Sequence, residues 1–215
     1  IKGTTGVLLP NDLDRQNQNL KMSSVMLSIH ALLVLYITMG CALNKGLKNV
    51  IMQYHELARK YVYPTAADMQ MLVYDVKLEA LAQKWANRCD LKSPDSNDIE
   101  YLPYSQTMAH FPNKNPYESL QYALIKWYGQ RFSFNYAWHP CNNEECRYYT
   151  TMIWSKNSKV GCAFKKCHNL GGDKTYLWVC QYGSGGNGLG TLPYESGRVC
   201  SKCQSGQQCI LNQCS

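Results

Sequence analysis

No Asn-x-Ser/Thr triplet occurs in the 215 residues, so N-linked glycosylation is not expected. No Gly-x-Ser-x-Gly elbow is present, and the glycine-rich run 183–188 lacks the Lys-Ser/Thr of a phosphate loop. Like charges never run to five in a row. The 22 Lys and Arg are interspersed with 15 Asp and Glu, for a net charge of +7. A nucleic-acid footprint clusters its basic residues, so no nucleic-acid partner is expected. Histidine is scarce, at five residues. No apolar run reaches the ~20 residues that a membrane helix needs. What the chain does have is 45% hydrophobic residues against 17% charged ones. That composition supports a packed core and excludes disordered, collagenous and coiled-coil classes.

The longest apolar stretch, Val25–Met39, follows Lys21 and precedes Gly40-Cys41-Ala42. A basic flank, a short apolar centre and small residues before the cut are the marks of a secretory leader. Residues 22–42 are therefore expected to be a signal peptide cleaved after Ala42, with Met22 as initiator and residues 1–21 outside the fold. A signal anchor retained in the membrane is the competing reading. With the leader removed, no transmembrane anchor is expected, and the product is extracellular.

Cys41 would leave with the leader. Ten cysteines then remain: Cys89, Cys141, Cys146, Cys162, Cys167, Cys180, Cys200, Cys203, Cys209 and Cys214. An even number in a secreted chain points to as many as five disulfides, whose connectivity spacing does not fix. The last four fall within fifteen residues and are expected to pair locally. Cys200-x2-Cys203 could alternatively hold zinc, but an oxidising compartment disfavours free thiolates.

Apolar residues at helical spacing predict helices over 46–62, 74–88 and 117–131. Alternation predicts strands over 158–167 and 175–183, with Val160, Cys162 and Phe164 on one face and Tyr176, Trp178, Cys180 and Tyr182 likewise. A short strand is expected near 104–109, and 148–155 is apolar but of undetermined type. Helices flanking a small antiparallel sheet make an α+β layered domain.

Five segments in order carry a resemblance. Tyr54-His55-Glu56-Leu57-Ala58-Arg59 looks like the first helix of the CAP superfamily, the cysteine-rich secretory, antigen-5 and pathogenesis-related proteins. Tyr74-Asp75 through Trp85-Ala86 to Cys89 is similar to its second helix. Tyr149–Trp154 resembles the first family signature and Val160-Gly161-Cys162-Ala163 the strand after it. Val179-Cys180-Gln181-Tyr182, with Pro193-Tyr194, resembles the second signature. The chain looks most like the venom-allergen-like proteins of parasitic worms. The resemblance implies an α-β-α sandwich over 43–195, followed by a cysteine-rich tail over 196–215.

Typical members line a central cleft with two histidines and two acids that can hold a divalent metal. At the matching positions this chain has Ser93, Gln106, Gln130 and Tyr148. Hydroxyl, phenol and amide are poor zinc ligands, and an amide is no general base, so neither metal, cofactor nor enzymatic activity is expected. Of the histidines past the leader (His55, His110, His139 and His168), His55 reads as a hydrogen-bonded structural residue.

Phe132, Phe134, Tyr136 and Trp138 alternate just before Cys141. The resemblance implies sterol binding at such an aromatic loop, although core packing would use the same residues. It also implies a fatty-acid groove between the first and third helices, with Val50, Tyr54, Leu57, Tyr61, Leu120 and Leu124 as candidates. The expected function is non-enzymatic binding of a sterol or fatty acid. The alternative is a protein-interaction or host-modulating effector with an extracellular protein partner; a metal-dependent hydrolase comes third.

Overall fold

The computed structural model describes residues 21–22, 26–28, 42–95, 97–112, 114–137, 141, 144–171, 175–183 and 191–215. The chain divides into two compact units, 1–41 and 42–215. In the first, residues 21–22 and 26–28 are helical, and the remaining leader residues up to 41 lie outside the described residues. No described helix is long and apolar enough to cross a membrane.

The second unit is built on a four-stranded sheet of order β1-β3-β4-β2, formed by Val73–Tyr74, Lys159–Cys167, Thr175–Gly183 and Ser105–Phe111. β1 runs parallel to β3, and the other pairs are antiparallel. Strand alternation sets the two faces. Leu177, Val179 and Ala163 join Ala82, Trp85 and Ala86 of α2 (Val76–Ala86) in one apolar cluster. Trp178, Cys180, Tyr182, Val160 and Cys162 belong to the other. That cluster includes Ile51 and Ala58 of α1 (Lys45–Lys60), Leu120, Leu124 and Trp127 of α3 (Pro116–Gly129), and Tyr149 and Met152 of α4 (Glu144–Met152). Helices on both faces of a sheet make the expected α-β-α sandwich. Two buried indoles are satisfied, Trp127 Nε1 donating to Met108 O at 3.1 Å and Trp178 Nε1 to Ser119 Oγ at 2.8 Å, whereas Trp85 Nε1 meets no described acceptor.

The first three helices each start at a local cap. Asn44 caps α1 by accepting the Leu47 N–H at 2.9 Å, and Asn115 caps α3, with Pro116 in its first turn. Asp75 caps α2 through the Lys77 and Leu78 N–H groups. Partial burial raises the pKa of its carboxyl, yet those two N–H groups and Lys159 at 3.2 Å hold it below the usual range. Gly161 lets α2 lie directly on β3, because a Cβ there would sit 2.2 Å from the Glu79 backbone nitrogen.

The ten cysteines of residues 42–215 are all paired: Cys89–Cys167, Cys141–Cys146, Cys162–Cys180, Cys200–Cys209 and Cys203–Cys214. Cys162 and Cys180 face each other in the β3–β4 register. The tail carries only β5 (Cys209–Ile210) and β6 (Gln213–Cys214), and it pairs locally as expected. Its sulfurs are engaged in bridges, which removes the zinc reading of Cys200-x2-Cys203.

Candidate functional site

Two cavities and one buried polar network hold the chemistry of the 42–215 unit. The first cavity, about 210 Å³, opens at the start of β2. Ser93 comes from the loop after α2, Ser105 and Gln106 from β2, and Arg147 and Thr151 from one face of α4. Asp95 is the only carboxylate among its lining residues, and its Oδ1 already accepts the Asn97 N–H at 2.8 Å. Gln106 Oε1 accepts from Gln181 Nε2 across the β2–β4 pair.

Gln130 and Tyr148 do not line this cavity. Gln130 Oε1 accepts the backbone N–H groups of Tyr148 (2.7 Å) and Tyr149 (3.2 Å), so it serves as an acceptor for the first turns of α4. Tyr148 packs edge-on against Trp127 at 6.3 Å. The structure thus brings Ser93 and Gln106 together and assigns the other two positions to helix packing. Arg147 and Thr151 went unnoticed in the sequence. Their i, i+4 spacing places both on one helix face, a signal visible only once 148–155 is known to continue a helix.

Behind the sheet lies the buried network. His55 Nδ1 donates to Ile51 O at 2.7 Å, which leaves Nε2 to accept the Tyr182 hydroxyl at 2.8 Å. Burial lowers the His55 pKa to about 4, against the Ile51 bond that raises it; the nearby Arg59 charge adds to the lowering. Neutral, fully buried and doubly bonded, His55 is structural. Arg59 is also fully buried. Its guanidinium donates to the carbonyl oxygens of Gln70, Met152, Trp154, Ser155 and Asn157. Burial pulls its pKa down to about 9, which keeps it cationic at neutral pH.

The second cavity, about 420 Å³, sits beside the aromatic segment. Tyr136, Trp154, Leu192, Pro193 and Tyr194 supply its apolar wall, while Asp68, Ser155, Lys156 and Glu195 are polar. Tyr136 stacks on Tyr194 at 5.0 Å, donates to Tyr194 O and accepts the Ser196 N–H. Phe134 packs edge-on against Tyr149 at 5.7 Å. Phe132 is 81% exposed, with the Arg131 guanidinium 4.4 Å over its ring. Trp138 lies outside the described residues. The alternating aromatics therefore divide between packing (Phe134), a cavity wall (Tyr136) and solvent (Phe132).

The helix-groove set divides too. Leu120 and Leu124 are fully buried in the core. Val50 and Tyr54 pack at the core margin, and Leu57 and Tyr61 are exposed.

The profile of the cysteine-rich secretory protein (CAP) family matches residues 52–182. The chain belongs to this family. Human GLIPR1-like protein 1 is 32% identical over 168 residues, covering 74% of this chain and 67% of that protein. The chain thus spans about two thirds of that relative's length. Among solved structures, NaASP2 with Zn2+ aligns with a TM-score of 0.68 at 22% identity, over 80% of this chain and 96% of that one. Schistosoma mansoni venom allergen-like protein 4 aligns at 0.57 and 27% identity, over 75% of this chain and all of that one. These likenesses establish the CAP fold. The cleft itself does not fit a metal: its described lining holds one carboxylate, no histidine, and a guanidinium that repels a dication.

Proposed function

We propose that this CAP-family chain is a secreted binding protein without enzymatic activity, and that it captures an apolar small molecule, a sterol or fatty acid, beside the 132–136 segment. The cavity walled by Tyr136, Trp154, Leu192, Pro193 and Tyr194 carries this reading. Its volume falls within the roughly 300–1,000 Å³ of small-molecule sites, and flat aromatic walls bind rigid apolar ligands at low ordering cost. Burying ~200 Å² of apolar ligand surface contributes roughly 5 kcal/mol before association costs. Five disulfides agree with an extracellular destination, as does the apolar segment 25–39. The non-enzymatic part rests on the 210 Å³ cleft, whose described lining lacks histidine and holds its one carboxylate against a backbone N–H.

Retention of labelled cholesterol and labelled palmitate by secreted protein tests the reading. Thr191→Asp with Leu192→Asp puts charges on two exposed lining residues and should weaken retention while the circular dichroism spectrum stays unchanged. A wild-type protein that retains neither lipid, or a double variant that retains both equally well, overturns it. One observation favours a second reading, a protein-interaction surface: α1 and the residues after it expose Leu57 (43%), Tyr61 (61%) and Tyr63 (90%). Failure of lipid retention would direct attention to that face.

A further inference from the structure

Where the 42–215 unit begins, a buried carboxylate meets the backbone. Glu79, in the first turn of α2, is 4% exposed. Its Oε1 accepts the backbone N–H of Leu43, itself buried. Its Oε2 pairs with Lys48 Nζ at 2.8 Å. Leu43 thus meets this buried carboxylate with one neutral amide donor, whereas a charged donor binds a carboxylate roughly twice as strongly.

Charge makes the same point from the other side. The first turn of α1 contains no acidic residue, while Lys45 and Lys48 stand near the positive end of its dipole. Glu79, reaching over from α2, is the counter-charge to this helix start. The Tyr74 ring lies 4.8 Å from Lys48 Nζ, and the Tyr74 hydroxyl, which donates to Cys162 O, also interacts with Glu79.

We propose that Glu79 is the receptor for an α-ammonium group on Leu43, and that cleavage of the Ala42–Leu43 bond completes the folded unit. The inference rests on the secretion reading above. A leader-removing endopeptidase would add water across the bond. The hydroxyl goes to the Ala42 carbonyl, whose new acid ionises, and the Leu43 nitrogen leaves as an ammonium. That group has three donors where the amide had one. It keeps the bond to Oε1 and makes it charge-assisted, beside the Lys48–Oε2 pair. The division between the two compact units falls one residue before this bond, between Cys41 and Ala42.

The test uses protein secreted from eukaryotic cells. N-terminal sequencing should return Leu43; any other start overturns the proposal without touching the lipid reading, which has its own assay. Unfolding in guanidinium is then compared for four forms: wild type, Glu79→Gln, a form with one glycine inserted between Ala42 and Leu43, and both changes together. Each single change should lower the folding constant about tenfold to a hundredfold, the range of hydrogen bonds to charged groups, and the double change should add little more. Additive losses would mean that Glu79 serves Lys48 alone, and the proposal fails. Should Glu79→Gln not fold, the wild type suffices. A docked amine should react with an acylating reagent at least about tenfold more slowly in the native than in the unfolded chain. Equal rates overturn the proposal.

Discussion

The body of the molecule and its tail are held together by opposite means. Residues 43–195 enclose two apolar clusters around a sheet, and the Cys89–Cys167 bridge spans 78 residues of that body. Residues 196–215 have almost no interior: Ile210 and Leu211 are both 42% exposed, and each strand is two residues long. Two short-range bridges, over 9 and 11 residues, stand in for a core. Backbone bonds then attach the tail to the loop after α1, through Gly197 N to Thr65 O, Lys202 N to Ala67 O and Cys214 N to Met69 O. A segment too short to bury apolar area gains its order from covalent closure and from a neighbour's main chain.

If that contrast is right, damage to the body should be global and damage to the tail local. The largest effect is expected from Cys89→Ser with Cys167→Ser. Loop-closure entropy over 78 residues predicts a loss of about 4.5 kcal/mol, seen as a lower guanidinium midpoint of the whole unit. A midpoint shifted by less than about 1 kcal/mol would show that the core alone carries the body. Next comes Arg59→Met, which leaves buried carbonyls without donors and should cost about 3–5 kcal/mol.

Acid should act on the body through His55. Its folded pKa, about 4, lies below the unfolded value of 6.5. The folded state therefore binds fewer protons over that window. Stability is whole above pH 6.5 and falls as pH drops toward 4, by about 3 kcal/mol in total. Chemical unfolding at stepped pH measures the slope. A flat profile between pH 6.5 and 4 would contradict a neutral buried imidazole. The smallest effect on the body belongs to Cys203→Ser with Cys214→Ser. Amide exchange should quicken across 196–215, while the body's unfolding midpoint moves by less than about 1 kcal/mol. A collapse of the body in this variant would erase the distinction between the two regions.

Much of the layered core can be read from the chain, because strand alternation is a local signal. Trp178, Cys180 and Tyr182 share a face by period alone. The first three helices likewise announce themselves, within two residues or so at each end, through apolar spacing; the caps Asn44, Asp75 and Asn115 set starts that spacing alone misses. The fourth does not. Thr150 and Thr151 are poor helix formers, and α4 depends on distant help: Gln130 accepts its backbone N–H groups, and Met152 and Ile153 are buried against other elements. That blind spot hid Arg147 and Thr151. Nor does helical spacing tell a groove from a core, since Leu120 and Leu124 look the same either way until their neighbours are known. The 420 Å³ cavity joins residues near 68, 136, 154 and 193, a juxtaposition that no local pattern contains.

Arg59 has one more consequence. It grips oxygen atoms of the main chain only, at Gln70 and from Met152 to Asn157. Such a grip fixes where those residues stand and is blind to what they are. Trp154 and Ser155, held by their carbonyls, also face the larger cavity, with Lys156 beside them. Trp154 and Ser155 are also buried, and Ser155 Oγ donates to Asp68 Oδ2 at 2.8 Å, whereas the neighbouring Lys156 is exposed. The arginine fixes the wall's course through its backbone, so Lys156 can vary there without moving the wall.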